Sequence, residues 1–568
     1  MKGMYVLSSA EMQACDRATT ERFGVASLEL MRAAAGAVAT LVREQFPHAK
    51  SVTVLCGRGN NGGDGMMAAR LLADAGLAVT TLLLGAPEGF GADVVAAWGE
   101  LLASAKPGTV HVVETGKDLA AQDGLLDTDL IVDAVVGTGF KAPLKGLALA
   151  ALEWVKGSKA PVLAVDLPSG WEADSTAAAA AGPAFDADAV VTFTSPKPAH
   201  VFGQLTRTWD QPVVVAPIGS PEEAIKSKLR LHWAGSAMEL VQRPRAAAAN
   251  KGNFGHVLVV GGSVGRSGAP AMASLAALRS GAGLVTAAVP APVLGLVAAI
   301  APELMTFPLA ATAAGQIAEG GLAPELEGNA ESKRAGLAFV SQTFVETLTA
   351  GKTVMAIGPG LGQGRETAKF TTALLWATKM PVVIDADALN ILAAKPLLLV
   401  KLAKGRTVVV TPHPGEMARL AGISVAEVQA NRLEVARDFV KRTGVTLVLK
   451  GARTLIAHPD GRVAVNTTGN PGMAKGGSGD LLTGLVAGML AQHPKDVAQA
   501  VEAAVYLHGL AADMAVSCPR GAQDEHTLLA TDSLQQLSRA FRFQGRGSKG
   551  YVWLQGALHR EAPGEVRG

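Results

Sequence analysis

The feature that most constrains this chain is one unit used repeatedly: a short run of Val, Ile, Leu and Ala, a break carrying Gly, Asp or Pro, then a longer helical run. Short apolar runs bounded by turn signals read as strands buried on both faces, and their alternation with helices calls for a parallel, doubly wound α/β sheet. The first half supplies SVTVLC (51–56), AVTTLLLGA (78–86), LIVDAVVG (130–137), VLAVDLPSG (162–170) and AVVTFTSP (189–196). A second set begins at HVLVVGGS (256–263) and continues through GLVTAAVP, VMAIGPG, PVVIDAD, TVVVTPHP and TLVLKGA. Between them a polar stretch ending RPRAAAANKG has little strand character. At 568 residues the chain exceeds the ~150 residues of an ordinary domain, so two large α/β domains are expected. HPDG at 458–461, between RTLIA and RVAVN, reads as a hairpin turn, adding an antiparallel element to the second sheet.

Composition narrows the partners. With 51 basic and 49 acidic residues the net charge is +2, which gives no electrostatic footprint for nucleic acid or a membrane surface. Small-molecule substrates are expected instead. Cys15, Cys56 and Cys518 have neither metal spacing nor an even count for a disulfide framework, which suits a reducing cytoplasm. No apolar run of 18 residues and no apolar signal core appear.

The chemistry is expected at the carboxyl ends of the strands, where open parallel sheets bind ligands. After SVTVLC comes GRGNNGGDG, in which Gly57, Gly59 and Gly62 satisfy the dinucleotide spacing between a strand and a helix expected at MMAARLLADAG. The next strand ends in Gly85, where a dehydrogenase would carry a ribose-binding acid, so hydride transfer is not expected. Asp133, Asp166 and Ser169 end later strands, and AVVTFTSPKP leads to Lys197. With Asn61 these oxygens suit either a hard cation such as K⁺ or Mg²⁺ or acid–base work. In the second half GPGLGQG, DADALN, HPGE and KGART bring Asp385, His413 and Lys450 to strand ends. The most demanding stretch is GNPGMAKGGSGDLLTG (469–484), read as a glycine loop built on Gly476, Gly477 and Gly479, with a helix beginning just after Asp480. A helix N-terminus there would attract phosphate, and Asp480 would be either a general base or the helix N-cap. No G-x-x-x-x-G-K-[ST] loop occurs. Asp385, His413, Lys450 and Asp480 together suit phosphoryl transfer.

The motifs NNGGDG, DAVVGTG and VDLPSG, followed in order by GPGLG, DADALN, TPHPGE, KGART and NPGMAKGGSGD, make the chain resemble the bifunctional NAD(P)H-hydrate repair enzymes. The resemblance covers nearly the whole chain. It implies an N-terminal Rossmann-like three-layer sandwich over residues 1–225, a linker over 226–248, a ribokinase-like α/β domain over 249–541, and a flexible tail from 542. It further implies that the first domain interconverts the R and S hydrates of NADH and NADPH, and that the second dehydrates the S epimer with ADP, releasing AMP and phosphate. By resemblance the epimerase substrate lies along Asn60, Asn61, Gly62, Gly63 and Asp64 and along Gly137, Thr138, Gly139, Phe140, Lys141, Ala142 and Pro143, facing a catalytic Asp166. K⁺ is implied at Asn61, Asp133 and Ser169. In the dehydratase, Ala269, Gly362 and His413 would line the hydrate site. Lys450, Gly451, Ala452, Arg453, Thr454 and Gly479 would hold the nucleotide, with Mg²⁺ accompanying ADP, and Asp480 would be the base. A homo-oligomer is expected. The chain departs from the family's LMENAG, with LMRAAA at 30–35, so Arg32 and Ala35 bear on how the second helix closes over the epimerase site. A small-alcohol kinase in the second half and a non-catalytic first half remain open as alternatives.

Overall fold

The structure, a computed structural model, describes residues 3–319, 342–516, 523–545, 547 and 549–556. Cys518 lies outside them, as does the segment from 557 to the end. The chain divides into two compact units, one formed by residues to Trp233 together with those from Gln544 onward, the other by Ala234–Phe543.

In the first unit the expected apolar runs become β1 (Ser51–Cys56), β2 (Ala78–Leu84), β3 (Val110–Val113), β4 (Leu130–Ala134), β5 (Val162–Val165), β6 (Ala189–Phe193) and β7 (Val213–Ala216). They pair in parallel in the order β7-β6-β5-β4-β1-β2-β3. Strands β4, β5, β6 and β7 are buried throughout their lengths, which explains why they read as continuous rather than alternating apolar runs. The order reverses at β1, which pairs with both β2 and β4, and a crevice opens where the loops after β1 and β4 diverge. A Cβ on Gly57 would lie 1.9 Å from the Val135 carbonyl oxygen, so only glycine lets these two loops pass.

Two expectations change here. The helix after β1 runs Asn60–Asp74, so NNGGDG forms its opening turns rather than a loop, and Gly59 is its N-cap. The stretch read as a linker contains β8 (Leu231–Trp233), whose three side chains are buried. It is tied to the first unit by Val6 N–H to the Leu231 carbonyl at 3.0 Å and Trp233 N–H to the Met4 carbonyl at 2.9 Å. A three-residue strand is too short for periodicity to reveal.

The second unit holds β9 (His256–Val260), β10 (Leu284–Pro290), β11 (Met305–Leu309), β12 (Val354–Ile357), β13 (Val382–Ile384), β14 (Val408–Val410), β15 (Thr446–Leu449), β16 (Leu455–Ala457) and β17 (Val463–Val465). Their order is β11-β10-β9-β12-β13-β14-β15-β16-β17, parallel through β15 and antiparallel at β15–β16 and β16–β17. HPDG forms the expected turn between β16 and β17, with His458 N–H donating to the Arg462 carbonyl at 2.9 Å. KGART is therefore the loop of a hairpin as well. Helix Ser478–Gln492 packs on helix Gly268–Arg279 along the sheet.

The tail also departs from expectation. Helix Ala530–Arg542 closes the second unit, and the chain then returns to the first, where β18 (Val552–Gln555) pairs antiparallel with β7. Tyr551, Val552, Trp553 and Leu554 are buried there. Four consecutive large apolar residues are poor material for a solvated tail.

Candidate active sites

In the first unit a cavity of about 580 Å³ opens at the β1/β4 crevice. Its walls include Asn60, Asn61, Asp64, Gly137, Thr138, Gly139, Phe140 and Asp166 from the expected set. Gly62 and Gly63 do not reach it. They are buried in the helix, where a Cβ would strike the Gly57 backbone at 1.8 Å and Met31 at 2.8 Å, respectively. Lys141, Ala142 and Pro143 also stay outside the wall.

Asp166 follows β5 with φ of 64°, unusual for a residue with a side chain. Its turn is over-determined: Oδ1 accepts from Lys197 Nζ at 2.8 Å and Thr192 Oγ1 at 2.8 Å, and Oδ2 from Thr138 N–H at 3.2 Å. His200 Nδ1 accepts from Lys197 N–H, which leaves Nε2–H to donate to the Asp166 carbonyl at 2.7 Å. Burial, reinforced by Lys197, lowers the His200 pKa to about 4. Burial opposes the charge on Asp166, but Lys197, His200 and the hydrogen bonds hold its carboxyl below the usual range. Lys197 is 2% exposed. The sequence marks it only as a strand-end residue, because a lone lysine gives no sign that a carboxylate waits beside it. Asp16, from helix Ser9–Phe23, also lines the cavity and was missed, since it lies far from any glycine loop.

Beside this cluster Asp133 is fully buried. Ser169 donates to it twice, from N–H at 2.7 Å and Oγ at 2.6 Å, and Val135 N–H donates at 3.2 Å. Burial nevertheless outweighs these bonds and pushes its pKa up to about 6. Asn61 stands against Gly137, whose Cβ would meet it at 3.1 Å, and its amide nitrogen is buried without a hydrogen-bond partner. The two ends of an amide are interchangeable in such an assignment, so Asn61 has an oxygen to offer. A buried carboxylate lacking a counter-charge, a serine hydroxyl and an unpaired amide form an all-oxygen set that fits a weakly hydrated monovalent cation. Among the described residues no group of three or more His, Cys, Asp or Glu could hold a metal, so a transition-metal centre is not built here. At the LMRAAA departure Arg32 pairs with Glu100 at 2.6 Å and Ala35 is fully buried, while Leu30, Met31 and Ala34 line the cavity. The second helix therefore closes the site with the residues it has.

In the second unit a cavity of about 460 Å³ is lined by Asp385, His413, Glu416, Lys450, Gly451, Gly477, Gly479 and Asp480, among others. It draws on the ends of β13, β14 and β15 and on the N-terminus of helix Ser478–Gln492. Gly477, at φ 93°, is the N-cap, and Asp480 is the third residue of the helix rather than its cap. Of the three loop glycines only Gly477 has positive φ. Gly479 instead permits close approach, since its Cβ would stand 3.3 Å from Lys450 Nζ. Lys450 Nζ pairs with Asp385 Oδ1 at 2.8 Å and reaches Glu416 Oε2 at 3.8 Å, while Thr483 Oγ1 donates to Asp385 Oδ2 at 2.7 Å. Burial opposes the charge on Lys450, but Asp385 and Glu416 hold its pKa above the ordinary lysine value. Burial, with Asp385 adding and Lys450 opposing, pushes Asp480 up to about 6. A carboxyl with its pKa raised to about 6 at the positive end of a helix is poised to exchange a proton beside a bound anion.

His413 caps helix Pro414–Ala421, its Nδ1 accepting from Gly415 and Glu416 N–H. Ala269 and Gly362 are not in the cavity wall. They flank the neighbouring loop after β12, where Gly362 N–H donates to Asp387 at 2.8 Å, and Asp387 adds to the upward shift of Asp480. Ala452, Arg453 and Thr454 are also off the wall, and Arg453 Nη1 turns inward to donate to the Thr467 carbonyl at 3.0 Å. Asp513, in helix Val497–Val516, anchors the NPG turn through Gly469 N–H and Asn470 Nδ2, a role invisible without the fold.

A family model described as NAD(P)H-hydrate dehydratase matches residues 257–534, and one described as YjeF-related protein N-terminus matches residues 27–199. The chain is similar to the "Bifunctional NAD(P)H-hydrate repair enzyme Nnr" of Moorella thermoacetica, 39% identical over 95% of this chain and 97% of that one. It is similar to the protein of the same description in Escherichia coli, 33% identical over 92% and 91%. Among solved structures, an ADP/ATP-dependent NAD(P)H-hydrate dehydratase from Bacillus subtilis, co-crystallised with ATP and Mg²⁺, is similar at 32% identity and TM-score 0.42, covering 54% of this chain and 96% of that one.

Proposed function

We infer the chemistry of this chain from its family: it belongs to the bifunctional NAD(P)H-hydrate repair enzymes. It restores NADH and NADPH whose nicotinamide ring has taken up water. The first unit interconverts the R and S hydrates, and the second removes the water from the S epimer at the expense of ADP.

The observation that carries the dehydratase reading is the placement of Asp480, with a pKa near 6, in one cavity with the Lys450–Asp385 pair and the helix N-terminus. Mg²⁺-bound ADP is the co-substrate. Asp480 accepts the proton of the C6 hydroxyl, whose oxygen attacks the terminal phosphorus of ADP, and AMP leaves. The backbone N–H groups at Gly479 and its neighbours face the charge that develops on the transferred group, and Lys450 adds a fixed positive charge. Phosphate then departs from C6 with its electron pair, a proton leaves C5, and the ring double bond returns. One hydrate and one ADP thus become NAD(P)H, AMP and phosphate.

In the first unit Asp166 serves as a fixed anion, kept ionised by Lys197 and offsetting positive charge that grows on the ring. A K⁺ ion held by Asn61, Asp133 and Ser169 would supply the counter-charge that Asp133 lacks and order the loop carrying Gly137. Free buried Cys15 and Cys56 suit a cytoplasmic location.

The test is to give the purified protein S hydrate and ADP and follow absorbance of the reduced nicotinamide together with AMP and phosphate. The reading expects all three in equal amounts. A stable phosphate ester without recovered NAD(P)H would make the second unit a kinase instead.

A further inference from the structure

Four carboxyl groups line the epimerase cavity: Asp16, Asp64, Asp166 and, in the first turn of helix Ala92–Ser104, Asp93. Asp166 is saturated by Lys197, Thr192 and Thr138. A carboxylate held by three donors is a poor proton carrier, because protonation would break the bonds that place it. Asp16 and Asp64 differ. Each lines the same cavity, Asp16 from helix Ser9–Phe23 and Asp64 from helix Asn60–Asp74, so they approach it from separate walls. Oδ1 of Asp16 is buried with no hydrogen-bond partner. Asp16 thus presents a buried, unpartnered carboxyl oxygen, and burying such a group without a partner costs stability.

We propose that Asp16 and Asp64 are the acid–base pair of the epimerase, working across the substrate ring while Asp166 stays a fixed anion. This assignment rests on the hydrate-epimerase reading of the site. One carboxyl gives its proton to the C6 hydroxyl as the C6–O bond breaks and water departs, and the N1 lone pair closes an N1=C6 iminium. The other carboxylate takes a proton from a water that adds to C6 from the opposite face, and the electron pair returns to N1. One water leaves and one enters, the C6 configuration is inverted, and the proton has moved from one carboxyl to the other. The reverse epimerisation uses the same pair with the roles exchanged.

The electrostatics divide the pair in the sense this needs. Burial, then Asp166 and Asp16, raise the pKa of Asp64 well above the ordinary carboxylate value, which favours its protonated form. Burial and Asp166 also raise Asp16, to about 6, against the opposing charge of Lys197, so at neutral pH it rests mainly as the carboxylate.

The experiment uses the full chain with R hydrate of NADPH in H₂¹⁸O, without ADP, following the R/S ratio and the label at C6. Wild-type protein should take up one solvent oxygen per inversion. Asp16→Asn and Asp64→Asn should each lower kcat by about 10²-fold or more in both directions, while ADP-dependent dehydration of S hydrate holds and the melting temperature does not fall, since neither carboxyl makes a bond the fold needs. Either variant epimerising within about fivefold of wild type, or inversion without label, overturns the assignment. A wild-type protein that interconverts nothing would instead overturn the reading of the site on which the assignment rests.

Discussion

Replacing Asp480 by Asn should make the second unit more stable and remove its activity. Asp480 is at the helix N-terminus, with a carboxyl pKa raised from 3.8 to about 6, chiefly by burial and then by Asp385. The folded state therefore holds that proton more tightly than the unfolded chain, and stability falls as pH rises from about 4 to about 6. Above pH 6 the wild-type protein bears the full cost. At about 1.36 kcal/mol per pH unit this is about 3 kcal/mol. Asparagine never ionises, so it avoids that cost, but it forgoes a favourable charge at the helix N-terminus worth about 0.5 kcal/mol. The net gain at pH 7.5 is about 2 kcal/mol, which at about 2 to 4 °C per kcal/mol raises the melting temperature by about 6 °C. The gain should vanish below about pH 4. Dehydration of S hydrate should meanwhile fall by about 10²- to 10⁴-fold, with epimerisation unchanged. Melting curves from pH 4 to 8 on one preparation, with both activities assayed, give the answer. An Asn variant less stable than wild type at pH 7.5, or an advantage independent of pH, would refute the electrostatic argument. Dehydration within a few-fold of wild type would remove Asp480 as the base.

Lys197→Met should destabilise the first unit by about 3 to 5 kcal/mol, because it strands the Asp166 carboxylate in a buried site, and adding Asp166→Asn should recover much of the loss, as read by denaturant unfolding. Asp133→Asn should abolish the dependence of epimerisation on K⁺ and leave dehydration of S hydrate intact; K⁺ titrations of both activities check this, and an unaltered K⁺ response would remove the site. Deleting the chain from Gln544 onward takes away Tyr551, Val552, Trp553 and Leu554, each worth about 1.5 to 3 kcal/mol of burial. The epimerase should be lost and the dehydratase kept, whereas a tail with no structural role would leave both.

The parallel strands were legible because a strand covered on both faces must be apolar throughout, and β4 through β7 announce themselves in that way. The glycine stretches were legible in part: Gly57 and Gly477 occupy close approaches or conformations that other residues cannot, but NNGGDG begins a helix rather than forming a loop. What could not be read was pairing at long range. Lys197 and Asp166 are 31 residues apart, and Lys450 and Asp385 are 65 apart, so neither partner predicts the other. Local pattern likewise hides the destination of Trp553, which pairs with a strand more than three hundred residues earlier. Asp480 was read as a possible cap because the helix was expected to begin after it. Gly477 at positive φ starts the helix earlier and carries the carboxyl inside.

The central claim is that one chain carries two sites acting in sequence on one damaged cofactor, and pure R hydrate of NADPH tests it most directly. With ADP, Mg²⁺ and K⁺ present, the account predicts complete recovery of reduced-nicotinamide absorbance from the R epimer, with Asp480→Asn stopping at a mixture of R and S. Recovery from S hydrate alone, with R hydrate left untouched beyond its spontaneous rate, would contradict it.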